Sequence, residues 1–222
     1  MSDERWLAEH FGCRLSDADL LTQALSHRSL GARNNERLEF LGDAVLTYVM
    51  SDILFERFPE ADEGQLSRLR VALVKGATLA ALAKEIDLGD HLRLGQGERG
   101  GRQRASILAD TFEAVLGAIS LDQGFAAARS AILKVFSTRL DTLDLAQAEK
   151  DPKTRLQEWL QGRGRALPDY QLVRAYGEEH RRSLVVACEL KDQGLTAEGE
   201  GSSRRAAEQR AAGEILARLE AS

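Results

Sequence analysis

The sequence predicts two domains of different class: an all-helical unit over residues 1–142, a linker at 143–150, and a small α+β unit over 151–222. Three observations support this. Up to about residue 140, apolar residues recur at helical spacing, and no alternating strand pattern is sustained. The pattern breaks at DTLDLAQAEKDP. Beyond it, one helical segment, three short strand-like runs and an Ala-rich helix follow in the order α-β-β-β-α, a layout that packs helices on one face of an antiparallel sheet.

Taken in order, LSDADLLTQAL has a helical pattern with Ser16 as its expected N-cap. NNERLEFLGDAVLTYVMSDILFERF reads as one long helix from an Asn cap to Pro59, and EGQLSRLRVALVKGATLAALAKEIDL as two helices broken near Gly76. GQGERGGRQR reads as a Gly/Arg loop, and ASILADTFEAVLGAISLDQ and FAAARSAILKVFSTRL complete the helical set. Asp151-Pro152 is a strong helix opening, an acidic N-cap followed by proline in the first turn. The helix KTRLQEWLQGRG should end at Gly162 or Gly164; DYQLVRAYG, RRSLVVACEL and GLTAEGEG are strands, and SSRRAAEQRAAGEILARLE is the closing helix.

Composition restricts the function classes. With 43% hydrophobic and 29% charged residues among 222, the chain has the balance of a soluble globular protein. Its longest apolar stretches fall short of the roughly 18 residues of a membrane span. MSDERWLAEH lacks the apolar core of a secretory signal. Cys13 and Cys188 are isolated, which suits a reducing compartment and argues against disulfide or zinc frameworks. A cytoplasmic protein without a membrane partner is expected. The net charge of −5 is unevenly placed: residues 151–222 hold 12 Lys+Arg and 12 Asp+Glu, leaving 18 and 23 for residues 1–150. Local clusters, rather than the sum, must decide whether the chain meets a polyanion.

The acidity has a focus. Glu36, Glu39 and Asp43 are spaced three and four apart in NNERLEFLGDAVL, so they share one helix face and span about 10 Å. Leu38, Phe40, Leu41, Val45 and Leu46 surround them, and a helix apolar all round is expected to be buried. ILADTFEAVLGAISL repeats the arrangement with Asp110 and Glu113. Buried carboxylates repel one another and are costly unless paired or bound to metal. Packed acid face to acid face, the two helices would offer an all-oxygen site suited to Mg²⁺ or Mn²⁺ rather than zinc. The alternative is ion pairing with Arg37, Arg68 or Arg70. Glu63 is weaker evidence, since a helix start favours acids in any case. A di-iron reading is poor, because Glu-x-x-His is missing and His10, His27, His91 and His180 lie in no such motif.

In the small unit, Arg204 and Arg205 sit in the first turn of a helix, against its dipole, which suits a phosphate ligand. Thr154, Gln157 and Glu158 share one face of the preceding helix, and GEEHRR offers His180.

These residues carry a resemblance. ERLEFLGDAVL (36–46) is similar to the signature of the ribonuclease III family, and SHRS (26–29), DEGQLSR (62–68) and ILADTFEA (107–114) resemble its other blocks in order. DPKTRLQE through GSSRRAAEQRAA resembles a double-stranded RNA-binding domain. The resemblance implies an all-α endonuclease domain that hydrolyses double-stranded RNA with Mg²⁺ (Mn²⁺ substituting), leaving 5′-phosphate and 3′-hydroxyl ends with short 3′ overhangs. Ribosomal RNA precursors are the implied substrates. It implies a metal site of Glu39, Asp43, Asp110 and Glu113, supporting acids Glu36 and Glu63, and a homodimer in which Phe40 inserts into the partner. Thr154, Gln157, Glu158 and His180 match minor-groove positions, and Ser203, Arg204 and Arg205 the phosphate-binding helix start. Glu178 and Glu208 depart from the pattern, implying weaker phosphate anchoring. Two other readings stay open: an RNA binder whose helical domain only dimerises, and a metal-binding helical protein fused to an unrelated module.

Overall fold

The computed structural model describes residues 2–148, 150–177 and 183–220. The chain forms two compact units, Met1–Ala148 and Glu149–Ser222. The first is helical: α1 (Asp3–Phe11), α2 (Ala18–Ala24), α3 (Glu36–Arg57), α4 (Glu63–Val74), α5 (Gly76–Glu85), α6 (Leu88–His91), α7 (Ala105–Gln123) and α8 (Phe125–Asp141).

Helix α1 is not anticipated by the sequence reading, although its signals are present. Ser2 accepts from the Arg5 N–H, Asp3 and Glu4 fill the first turn, and Gly12 ends the helix in the left-handed region at φ 77°. Its charged surface hides an apolar stripe. Trp6, Leu7 and Phe11 are buried, and the Trp6 indole donates to the Ile86 carbonyl at 2.6 Å. Asp17, not Ser16, caps α2, its carboxylate accepting from the Asp19 and Leu20 N–H groups. The 96–103 stretch, expected as a loop, is a run of 3₁₀ turns. The break near Gly76 falls as expected, with Lys75 extended between α4 and α5.

The unit is organised around α7, whose Leu108, Phe112, Val115, Leu116 and Ile119 are fully buried. Helix α3 lies along it at backbone contact. A Cβ on Gly42 would sit 1.8 Å from the Glu113 carbonyl oxygen, and one on Gly117 would sit 2.1 Å from that of Leu38. Only glycine at both positions permits this approach, and it brings the acid-bearing faces of the two helices together. The other side of α3 contradicts the expectation of a helix buried all round: Phe40, Tyr48 and Phe55 are 80%, 60% and 73% exposed. Part of the expected linker belongs to this unit. Residues 145–148 form a 3₁₀ turn, Ala148 is buried, and its carbonyl accepts from the Arg68 guanidinium at 2.5 Å.

The second unit contains α9 (Pro152–Gln161), β1 (Asp169–Tyr176), β2 (Ser183–Leu190), β3 (Leu195–Gly201) and α10 (Arg204–Glu220). The sheet is antiparallel in the order β1-β2-β3, with Cys188 opposite Tyr170 and Ala197. Leu156, Leu160, Cys188, Leu190, Ala211, Ala212, Ile215 and Leu216 form its core. Asp151 caps α9 as expected, accepting from the Thr154 N–H at 3.0 Å.

Candidate active site

The close pairing of α3 and α7 decides where the acids go. Glu39 from α3 and Asp110 and Glu113 from α7 each offer a carboxylate oxygen, and these oxygens all lie within 4.8 Å of one another. None of the three joins an ion pair among the described residues. The arginines that could have neutralised them are occupied elsewhere: Arg68 on the Ala148 carbonyl and Arg70 on the Ser51 hydroxyl at 2.9 Å. Arg37 is exposed and forms no ion pair with them among the described residues.

The electrostatics follow from this crowding. Burial pushes the Glu113 carboxyl up to about 8, with the charges of Asp43, Glu39 and Asp110 adding to it. Glu39 is raised by burial and then by Asp110 and Glu36. Asp110 is raised by burial, against an opposing pull from Arg28 and His27. Partly buried carboxylates whose burial and mutual repulsion outweigh the pull of Arg28 and His27, and which join no ion pair among the described residues, are an unfinished electrostatic arrangement. Their donor set, oxygen throughout, fits a hard divalent cation.

The other acids are placed differently. Asp43 is exposed one turn beyond Glu39; it stands outside the three-oxygen cluster, yet its charge reaches Glu113. Glu36 is exposed at the start of α3, 3.7 Å from Arg28. Glu63 does not join the acids. It accepts from the Ser67 hydroxyl at 2.8 Å at the start of α4, beside a separate hollow lined by Leu54, Phe55 and Arg70.

Above the cluster opens a cleft of about 520 Å³, lined by Glu36, Glu39 and Asp110 and also by His27, Arg28, Ser29, Asn35, Glu98 and Arg104. Sequence spacing alone assigns no role to Arg28, Asn35 or Arg104, because they reach the cleft from separate segments. The 3₁₀ turn Arg28–Leu30 is pinned from several sides. Its His27 N–H donates to the Arg93 carbonyl at 3.0 Å, and the Gly95 N–H donates to the Ser29 hydroxyl at 2.9 Å. Arg104 pairs with Glu98 at 3.2 Å across the opening.

In the second unit, Thr154, Gln157 and Glu158 are exposed together on α9, as their spacing predicts. The Thr154 hydroxyl donates to Asp151 at 3.2 Å, and Glu158 accepts from the Lys150 ammonium at 2.6 Å. Ser203 accepts from the Ala206 N–H at 3.2 Å, which places it at the cap of α10, and Arg204 and Arg205 are exposed in the first turn. Glu208 is not a neutral departure. It holds the Lys153 ammonium at 2.6 Å and the Arg204 guanidinium at 3.0 Å. These contacts, Lys153 first, hold its carboxyl below the usual range. Glu178 and His180 lie outside the described residues.

Comparison with known proteins places the two units in known families. Residues 17–140 match the ribonuclease-III-like family and residues 152–219 the double-stranded RNA binding motif. Ribonuclease 3 of Pseudomonas syringae pv. syringae is 54% identical over 215 residues, covering 96% of this chain and 94% of its own. Ribonuclease 3 of Hahella chejuensis is 52% identical over 215 residues, covering 96% and 95%. The crystal structure of the nuclease domain of ribonuclease III from Campylobacter jejuni superposes with a TM-score of 0.61 at 39% identity, over 65% of this chain and 100% of that one. A second structure of that domain, described for flexibility in its dimer-forming region, gives 0.59 at 40% identity over 61% and 97%. The chain belongs to the ribonuclease III family, as an endoribonuclease carrying a double-stranded RNA-binding domain.

Proposed function

We propose that the protein cleaves double-stranded RNA by Mg²⁺-dependent phosphodiester hydrolysis, acting as a homodimer in which each helical unit cuts one strand. The products are 5′-phosphate and 3′-hydroxyl ends with short 3′ overhangs. The observation that carries the proposal is the convergence of Glu39, Asp110 and Glu113 between two tightly packed helices.

Glu39, Asp43, Asp110 and Glu113 would hold Mg²⁺, or Mn²⁺ in its place, with Glu113 giving up its proton on binding. When bound, such an ion neutralises a scissile phosphate and lowers the pKa of a water, supplying a nucleophile without a histidine base. Asp43 acts through the ion rather than as a covalent nucleophile. Glu36 and Arg28 stand at the cleft mouth, where Arg28 is free to exchange an exposed carboxylate for a phosphate oxygen. Glu63 serves RNA handling away from the acid cluster.

The second unit supplies the preference for duplex. A-form RNA shows a wide minor groove with 2′-hydroxyls and a narrow major groove bordered by phosphates. Thr154, Gln157, Glu158 and His180 meet the minor groove; Ser203, Arg204 and Arg205 meet phosphate at the start of α10. Phe40 enters the partner subunit, which accounts for a large aromatic left 80% exposed on α3. No helix among the described residues is long and apolar enough to cross a membrane. The proposed setting is the cytoplasm, with ribosomal RNA precursors and messenger RNA as substrates.

The deciding experiment is a gel assay on end-labelled double-stranded RNA with Mg²⁺, with Ca²⁺ and with chelator. Staggered products in Mg²⁺ alone, and a Glu113→Gln variant that shifts the RNA without cutting it, are the expected results. A shifted band with no product in any metal would favour a binder whose helical domain only dimerises.

A further inference from the structure

Asn35 occupies the N-cap of α3, yet its side chain makes no capping hydrogen bond. A capping Asn usually adds about 1 kcal/mol through that bond, so its absence asks what the amide does instead. The neighbouring residue takes over at the helix start: the Asn34 Oδ1 accepts from the Glu36 N–H at 3.0 Å. Asn35 is thereby released to turn inward. It is 3% exposed, and its Nδ2 donates to the Oγ1 of Thr111 at 3.3 Å. Thr111 is fully buried on α7, immediately after Asp110. Asn35 itself is tied to the first ligand, because its carbonyl accepts from the Glu39 N–H at 2.9 Å.

Burying an amide and a hydroxyl where two apolar side chains would fill the same space costs free energy unless the bond between them matters. The bond spans the two helices at the end where Glu39 and Asp110 face each other. Further along, the Gly42–Gly117 contact sets how closely the helices approach. The buried side chains around that contact, among them Leu38, Leu46, Phe112 and Val115, are apolar and pack without direction. A directional hydrogen bond supplies the missing constraint.

We infer that the Asn35–Thr111 hydrogen bond is a positioning device for the divalent-metal site, fixing the register of α3 against α7 so that Glu39 and Asp110 close on the ion bound by Glu113. This rests on the metal reading above and adds to it two buried residues outside the acid cluster.

The test is the Mn²⁺ and Mg²⁺ affinity of the full-length protein by titration calorimetry, beside its thermal midpoint in chelator. Thr111→Val keeps the volume and removes the hydroxyl; Thr111→Ser keeps the hydroxyl and removes a buried methyl. Thr111→Val should weaken metal binding about tenfold, the range of groups that orient metal ligands without touching the metal. Thr111→Ser should bind metal like the wild type although its midpoint falls. Should Thr111→Val not fold, Asn35→Leu carries the same measurement. Affinity within twofold of the wild type for the hydroxyl-free variant, or affinity that simply follows the midpoint, overturns the inference. A wild-type protein that binds neither metal overturns the metal reading instead.

Discussion

Replacing Glu113 by glutamine should stabilise the metal-free protein at alkaline pH, although it removes one of the proposed metal ligands. In the unfolded chain this carboxyl ionises near its ordinary value of 4.5, whereas the folded protein keeps it protonated to about 8. Between these values the folded state binds the extra proton, so wild-type stability declines as pH rises through the window. Below it both states are protonated and the group contributes nothing. The full displacement corresponds to about 5 kcal/mol; solvent screening of a side chain that still touches water reduces this to roughly 1–3 kcal/mol. Glutamine copies the protonated carboxyl in shape and cannot ionise, so the variant escapes the decline.

Urea denaturation in chelator at pH 5 and pH 8.5 measures the difference. The two proteins should have similar midpoints at pH 5. At pH 8.5 the variant should unfold at a urea concentration higher by roughly 0.5–1 M, given an unfolding slope of a few kcal/mol per molar. Saturating Mg²⁺ should reverse the order, since binding to the folded wild type adds stability that the variant lacks. A variant no more stable than the wild type at pH 8.5 in chelator would refute the account of the acids as mutually repelling groups awaiting a cation.

Gly42→Ala should destabilise the helical unit by about 3 kcal/mol or more, because the new methyl meets the Glu113 backbone; a thermal midpoint within a few degrees of the wild type would contradict the contact. Phe40→Ala should leave the stability of the isolated subunit unchanged and weaken self-association about 10- to 100-fold, the value of burying one phenyl ring. Sedimentation velocity over a dilution series reads this, and an unchanged dimer fraction would remove Phe40 from the interface. Glu208→Gln should raise double-stranded RNA affinity several-fold by freeing Lys153 and Arg204, and steepen the log–log salt dependence by about one. The wild-type slope should itself be shallow, and a slope already as steep as that of strongly basic binders would show that Glu208 withholds nothing.

How much of this could be read from the sequence depended on the range of the interaction. The acids were legible because their spacing puts them on single helix faces, and the apolar residues around them imply a special environment. That Glu39, Asp110 and Glu113 converge, while Asp43 stands outside the cluster and Glu63 lies apart, depends on how α3 packs against α7. No local pattern states that. Helix α1 was missed because charges dominate its surface, and its stripe of Trp6, Leu7 and Phe11 is short. The exposed face of α3 was misread for the opposite reason. Phe40, Tyr48 and Phe55 look like core residues in any hydropathy pattern, and only the fold shows that the subunit leaves them uncovered. Burial was the wrong inference for that face, because an exposed apolar patch gives the same hydropathy signature as a buried one.

The paired glycines connect these observations. A site of three carboxylates within 4.8 Å needs backbones closer than side chains normally allow, and Gly42 and Gly117 provide that approach one turn from Glu39 and Glu113. Apolar side chains of both helices, among them Leu46, Met50, Phe112 and Val115, share one core, but such packing has no direction, and the acids push apart whenever no cation is bound. Something else must hold the register, and the buried Asn35–Thr111 bond is the directional contact placed to do so. The fold therefore stores repulsion at the site and resists it with packing, so that a cation binding there gains an arrangement already made for it.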